Sequence, residues 1–187
     1  MRIGDKVLLD GKEFLILDVS DDVKIMQTER IVARRRMDPG RRYEDKELDV
    51  FLNDEYLNNL SFKDEVITTE YEQYSISRGK EIFLGDLGSF KIDGPLLGLI
   101  ERKVCAPSLL DFVEIAKLNN LSELIGKETF SLRDAYSKTR KGSWGVANGK
   151  AEYIYCKDNI ATKPIMVVSK EFLVKNGTQN SNAEQHC

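Results

Sequence analysis

The chain reads as a mixed α+β protein, antiparallel sheets with two main helices, and three features carry that reading. Asp10-Gly11 and Asn148-Gly149 each sit between apolar, strand-like runs, the strongest short-range hairpin signal a sequence offers. Two stretches, 45–60 and 106–118, space apolar residues three and four apart, as a helix with one buried face does. Around them the chain is rich in β-branched and aromatic residues broken by glycine.

Residues 3–32 predict an antiparallel meander. The segment 13–19 is almost continuously apolar, so it reads as a strand buried on both faces, and Ser20-Asp21-Asp22 turns the chain into a third strand. The first helix follows over 45–60, with Leu48, Phe51, Leu52, Tyr56 and either Asn59 or Leu60 on its inner face and acidic residues in its first turn. Ser61 is placed to cap a short second helix, with Asp64 in the capping-box position. Residues 66–76 are threonine- and tyrosine-rich and read as a strand. Residues 78–98 form a glycine-punctuated excursion without phosphate-loop spacing. Pro107 suits the opening of the second main helix, whose stripe is Leu109, Leu110, Val113, Ala116 and Lys117. Strands are expected at 129–133, 143–147, 151–156 and 165–169.

At 187 residues, 41% hydrophobic and 32% charged, the composition suits one domain over 1–174 and a loose polar tail over 175–187. No apolar run reaches the length of a membrane span or the pattern of a signal peptide, so no membrane partner and synthesis in the cytoplasm are expected. Three cysteines, Cys105, Cys156 and Cys187, share no metal-ligand spacing and fit a reducing compartment. The single histidine is His186, in the tail, which leaves the body without a Ser-His-Asp, Cys-His or histidine-zinc site. No metal and no cofactor is expected. Asn53-Asp54-Glu55 diverge around a helix and cannot gather one calcium ion.

The candidate binding residues are Arg34, Arg35, Arg36, Arg41 and Arg42. Together with Arg30 they make a cationic segment able to neutralise phosphates or an acidic partner. The alternative is a solvated loop paired with the acidic run Glu44, Asp45, Glu47 and Asp49. Arg133 beside Asp134 is placed to lock a turn by charge-assisted bonds to backbone carbonyls. Trp144 is expected to bury its ring and to need one acceptor. An enzyme would have to draw on carboxylates such as Glu47, Asp54 or Asp111, and no pair has a spacing that selects it. The balance leans against catalysis.

Leu48-x-x-Phe51-Leu52-Asn53-x-x-Tyr56, Cys105-Ala106-Pro107-Ser108, Leu132-Arg133-Asp134, the Trp144 strand and Lys163-Pro164-Ile165 resemble a family of uncharacterised domains from Gram-positive bacteria and their phages. That family is similar in fold to C-type lectins and to the sulfatase-modifying, formylglycine-generating enzymes. The resemblance marks Leu52, Asn53, Arg133, Asp134, Trp144 and Pro164 as fold markers. Phe130-Ser131 stands where the family has an aromatic pair, and Lys163 where it has arginine. The resemblance implies a C-type-lectin-like domain acting as a non-catalytic binding or assembly module, in a phage virion or tail. Its partner would be a protein, other virion proteins included, or a glycan. Nucleic acid or another acidic partner, met by the arginine segment, is the alternative.

Overall fold

The structure is a computed structural model describing residues 1–33, 43–76, 81–89, 94–118, 120–136, 142–155 and 160–179. In chain order the strands and helices are β1 (Lys6–Leu9), β2 (Lys12–Val19), β3 (Val23–Gln27), β4 (Ile31–Ala33), α1 (Glu47–Phe51), β5 (Val66–Ile67), β6 (Thr69–Ile76) and β7 (Glu81–Phe83). Then come β8 (Leu96–Arg102), β9 (Val104–Cys105), α2 (Leu121–Ile125), β10 (Phe130–Tyr136), β11 (Gly142–Ala147), β12 (Lys150–Tyr155), β13 (Ile160–Thr162), β14 (Ile165–Val168), α3 (Lys170–Asn176) and β15 (Thr178–Gln179). The α+β expectation is met: most of the regular secondary structure is strand, arranged in three sheets, and the helices are few and short.

The first sheet runs β15-β1-β2-β3-β14-β5, with β9 also on β14. Its meander turns where expected, Asp10 and Gly11 taking φ of 52° and 71°. Phe14 to Leu17 are all buried, because neighbours cover both faces of β2. β14 is buried along its length and pairs β3 on one side and β5 and β9 on the other. The second sheet runs β7-β12-β11-β10-β6-β8, and β4 with β13 makes a small third one. The expectation of purely antiparallel sheets needs one correction: β10 runs parallel to β6. The long stretch between them supplies the crossover that parallel neighbours need.

Residues between the sheets form one core, with Trp144, Phe14, Phe112 and Phe130 among its largest members. The Trp144 indole N–H donates to the Ile76 carbonyl at 3.3 Å, the acceptor the sequence called for. The first helix has the expected inner face: Leu48, Leu52, Tyr56 and Leu60 are buried. Each contributes about 1.5–3 kcal/mol of apolar burial. The helix widens into a π-type turn over Leu52–Tyr56. There Asn53 reaches back to the Asp49 carbonyl, its amide donating at 3.0 Å, and across to β9, where it donates to the Val104 carbonyl and accepts from the Val104 N–H.

The second main helix does not form as one. It divides into two 3₁₀ turns, Leu109–Phe112 and Ile115–Lys117. The buried apolar residues are Leu109, Phe112 and Ile115, spaced by three, which is the 3₁₀ period, while Leu110, Val113 and Ala116 lie partly exposed. Ser61 does not cap; Phe62 precedes the short turn Lys63–Glu65 without a side-chain cap. Residues 175–179, read as tail, complete α3 and add β15 to the edge of β1. Ser169 makes this possible by accepting the Phe172 N–H, and Phe172 packs on Phe62 at 5.6 Å between ring centres. Residues 180–187 lie outside the described residues. Among the described residues no helix is long and apolar enough to cross a membrane.

Backbone closeness sets one sharp sequence constraint. A Cβ on Gly94 would sit 1.4 Å from the Ser75 carbonyl oxygen, where Ser75 also donates to Pro95, whereas a Cβ on Gly98 meets nothing within 4 Å. Gly94→Ala is expected to lower stability by at least about 1–3 kcal/mol, the range for forced overpacking. Gly98→Ala should change it by less than about 0.5 kcal/mol. Urea denaturation of the two variants checks this, and equal losses would show that the approach of Gly94 to the Ser75 carbonyl is not tight.

Candidate functional site

The expected binding residues Arg34, Arg35, Arg36, Arg41 and Arg42 lie outside the described residues, as do Cys156, Cys187 and His186. Arg30 pairs with Glu128 at 3.3 Å and donates to the Thr129 carbonyl. From the acidic run, Asp45 and Asp49 turn to Arg102. Among the described residues a few ionisable groups are gathered inside the fold.

Arg133 is the centre of that gathering, and it lies on the strand β10 rather than in a turn. Its Nε donates to the Glu72 carbonyl at 2.7 Å, and its Nη1 donates to the Ala106 carbonyl and to the Asp111 carboxylate, both at 2.8 Å. Its guanidinium lies 5.4 Å from the centre of the Tyr71 ring. Asp111 also accepts from Lys24 Nζ at 2.7 Å and from the Ser108 N–H at 2.8 Å. The adjacent Asp134 accepts from Ser108 Oγ and the Leu109 N–H, both at 2.8 Å, and from the Tyr74 N–H at 3.3 Å. Gln73 joins the frame by donating to the Arg133 carbonyl and accepting from the Tyr43 N–H.

The two carboxylates titrate apart. Burial works to raise Asp111, but Arg133 and Lys24 outweigh it and hold the group at about 2. For Asp134 burial prevails over the pull of Arg133 and its donors, so its pKa is raised. Burial pushes the Cys105 thiol up to about 12, and it raises the Tyr43 and Tyr71 hydroxyls as well. The Tyr43 hydroxyl accepts from the Ala106 N–H at 3.1 Å; the buried Tyr71 hydroxyl has no partner among the described residues. Two smaller groups follow the same pattern. Arg102 is forked across Asp49, with Nε 3.2 and 3.1 Å from its oxygens, and reaches Asp45 at 2.7 Å. Lys163, nearly fully buried, donates to the Thr28 and Ile125 carbonyls, and burial lowers its pKa.

The six residues that the resemblance singles out make the following contacts. Leu52 and Trp144 fill the core, Asn53 clips β9, Arg133 and Asp134 frame the Ser108 entry, and the Pro164 carbonyl accepts the Gln27 N–H at 2.9 Å. Of the carboxylates an enzyme would need, Asp111 is consumed by Arg133 and Lys24, while Glu47 and Asp54 are exposed and do not join it. The clustering of Asp111 was missed, although Ser108-x-x-Asp111 is a readable capping box, here formed in full.

What faces solvent is different in kind. β8 lies at the edge of the second sheet, and Leu96 and Leu99 are 47% and 48% exposed on its outer face. Register places Leu99 opposite Glu72, Leu96 opposite Tyr74, and Glu101 directly opposite Glu70. All three glutamates are exposed, and among the described residues no cation pairs with any of them; Glu72 accepts from the Tyr74 hydroxyl at 2.9 Å. The alternation Glu70-Tyr71-Glu72-Gln73 announces that outer face, but the sequence alone does not show which strand lies beside it. A separate depression of about 370 Å³ is bounded by Gly85, Ala116, Leu118, Leu121, Glu123 and Gly149. Comparison with protein-family models, with curated proteins and with solved structures finds no match for this chain.

Asp111→Asn should cost about 3–5 kcal/mol, because it leaves the Arg133 and Lys24 charges facing a neutral amide. The Asp111 pKa is depressed in the fold, so its contribution is present above the ordinary 3.8 and is lost as pH falls toward about 2. The stability difference between native chain and variant should therefore shrink across that acid window, as read by denaturant titration at stepped pH; a constant difference would rule out the charged pairing. Cys105 provides the alkaline counterpart. With its thiol pKa raised and the side chain sealed, alkylation at Cys105, located by mass spectrometry, should proceed at pH 8 only at the rate of opening. Prompt labelling of the folded chain would contradict the sealed core.

Proposed function

We propose that the chain is a non-catalytic binding or assembly module, C-type-lectin-like in arrangement, which engages a protein partner through the open side of its six-stranded sheet. One contrast carries the reading. Among the described residues, Arg133, Asp111, Asp134, Lys163 and Cys105 are buried inside the fold, while the solvent-facing edge β8 offers leucines beside glutamates that no described cation pairs. Contiguous apolar surface rimmed by polar groups marks interaction sites, and an open strand edge invites pairing. The virion setting rests on the family resemblance of Leu52-Asn53, Arg133-Asp134 and Lys163-Pro164.

Size of the native species tests this. The chain alone is 21.3 kDa. From its natural source, or from purified particles where the source is a phage, it is expected in a larger assembly. The paired substitution Leu96→Lys with Leu99→Lys should release it to monomer size while circular dichroism stays unchanged. A native chain found as monomer throughout, or an assembly indifferent to the paired substitution, would overturn the reading.

A further inference from the structure

We infer that the occupant of the β8 edge is an extended, basic segment of a partner protein, added to the six-stranded sheet as a further strand. This inference rests on the binding-module reading and names the chemistry of the partner.

Three observations select that occupant. First, β8 ends its sheet among the described residues, so its outward backbone groups are available to a strand laid beside it. Second, the face continuous with that edge carries Glu70, Glu72 and Glu101 with no cation paired to them among the described residues, and Glu70 and Glu101 stand directly across the ladder. Like charges in that position oppose each other, and a positive side chain from a neighbouring strand relieves the opposition. Among the described residues the cations that follow Glu101 on the chain are engaged elsewhere: Arg102 with Asp45 and Asp49, and Lys103 with the Lys63 carbonyl. Third, Leu96 and Leu99 share the face with the glutamates, which suits lysine or arginine, whose methylene stems cover apolar surface while the charged head reaches a carboxylate. A second copy of the chain fits less well, since it would bring the same three glutamates onto one continuous face.

The test uses the full chain and a short peptide alternating lysine and valine, with a glutamate–valine peptide and a proline-interrupted lysine–valine peptide beside it, followed by titration calorimetry at low and moderate salt. Saturable binding of the lysine–valine peptide alone is expected, weakening with salt. The double variant Glu70→Lys with Glu101→Lys keeps a like-charge pair across β6 and β8, so it preserves the balance within the sheet and reverses only the sign offered outward. It should weaken binding by about tenfold or more. Absence of lysine–valine binding, equal binding of the glutamate peptide, or indifference to the double variant overturns the basic occupant. Equal binding of the proline-interrupted peptide overturns strand addition. A dimer in sedimentation that Leu99→Lys dissolves would assign the edge to a second copy. If these peptide results fail while the native assembly still dissolves with Leu96→Lys and Leu99→Lys, the binding-module reading stands and only the partner's chemistry is wrong.

Discussion

A guanidinium at the centre of a small protein is tolerable only when every direction in which it points is answered. Taking such an ion out of water costs several kcal/mol, and the attraction of one carboxylate offsets this only with further well-placed acceptors. Arg133 has the Asp111 carboxylate and the carbonyls of Glu72 and Ala106, so the positions of β6, the Pro107-Ser108 entry and the 109–112 turn are fixed together. Lys24 brings the first sheet into the same arrangement through the other oxygen of Asp111. The two sheets are thus joined by charge as well as by the apolar core.

The same economy recurs wherever the chain is irregular. Backbone groups outside regular ladders need partners as much as those inside. Asn53 supplies both bonds for Val104, Asp134 caps the Leu109 turn, and Lys163 ties the Thr28 and Ile125 carbonyls beneath Phe130. This explains how the short 3₁₀ turn Leu109–Phe112 persists where a longer helix is expected: its entry is secured by Ser108 and by Asp134 from β10, so it does not depend on helical length for cooperativity, whereas Ile115–Lys117 has no side-chain cap.

Those long-range bonds also mark the boundary of what the sequence shows. The hairpins at Asp10-Gly11 and Asn148-Gly149, the doubly buried β2 and the inner face of α1 depend on local chemistry, and they were legible. Arg133 as a binder of carbonyls was legible too, because an arginine in a core-like segment has few other uses. Its partners were not: Glu72, Ala106 and Asp111 lie 61, 27 and 22 residues away. Spacing of three in Leu109, Phe112 and Ile115 distinguishes 3₁₀ from α only when burial is known. The β8 surface was hidden for the same reason, since it is made by the register of two strands and not by either sequence.

That surface resists a purely defensive explanation. Charges on an edge strand commonly serve to prevent unwanted pairing, and Glu70, Glu72 and Glu101 could be read as such guards. A guard gains nothing from Leu96 and Leu99, which stand 47% and 48% exposed on the same face and favour the very contact that charge is meant to prevent. Nor does the fold use the Glu70–Glu101 opposition, which strains the ladder by a few tenths of a kcal/mol or more. Leucines that attract and glutamates that repel are consistent on one condition: pairing is excluded for neutral or acidic strands and favoured for basic ones. Selectivity of this kind combines an attractive element with a repulsive one, and the β8 edge holds both.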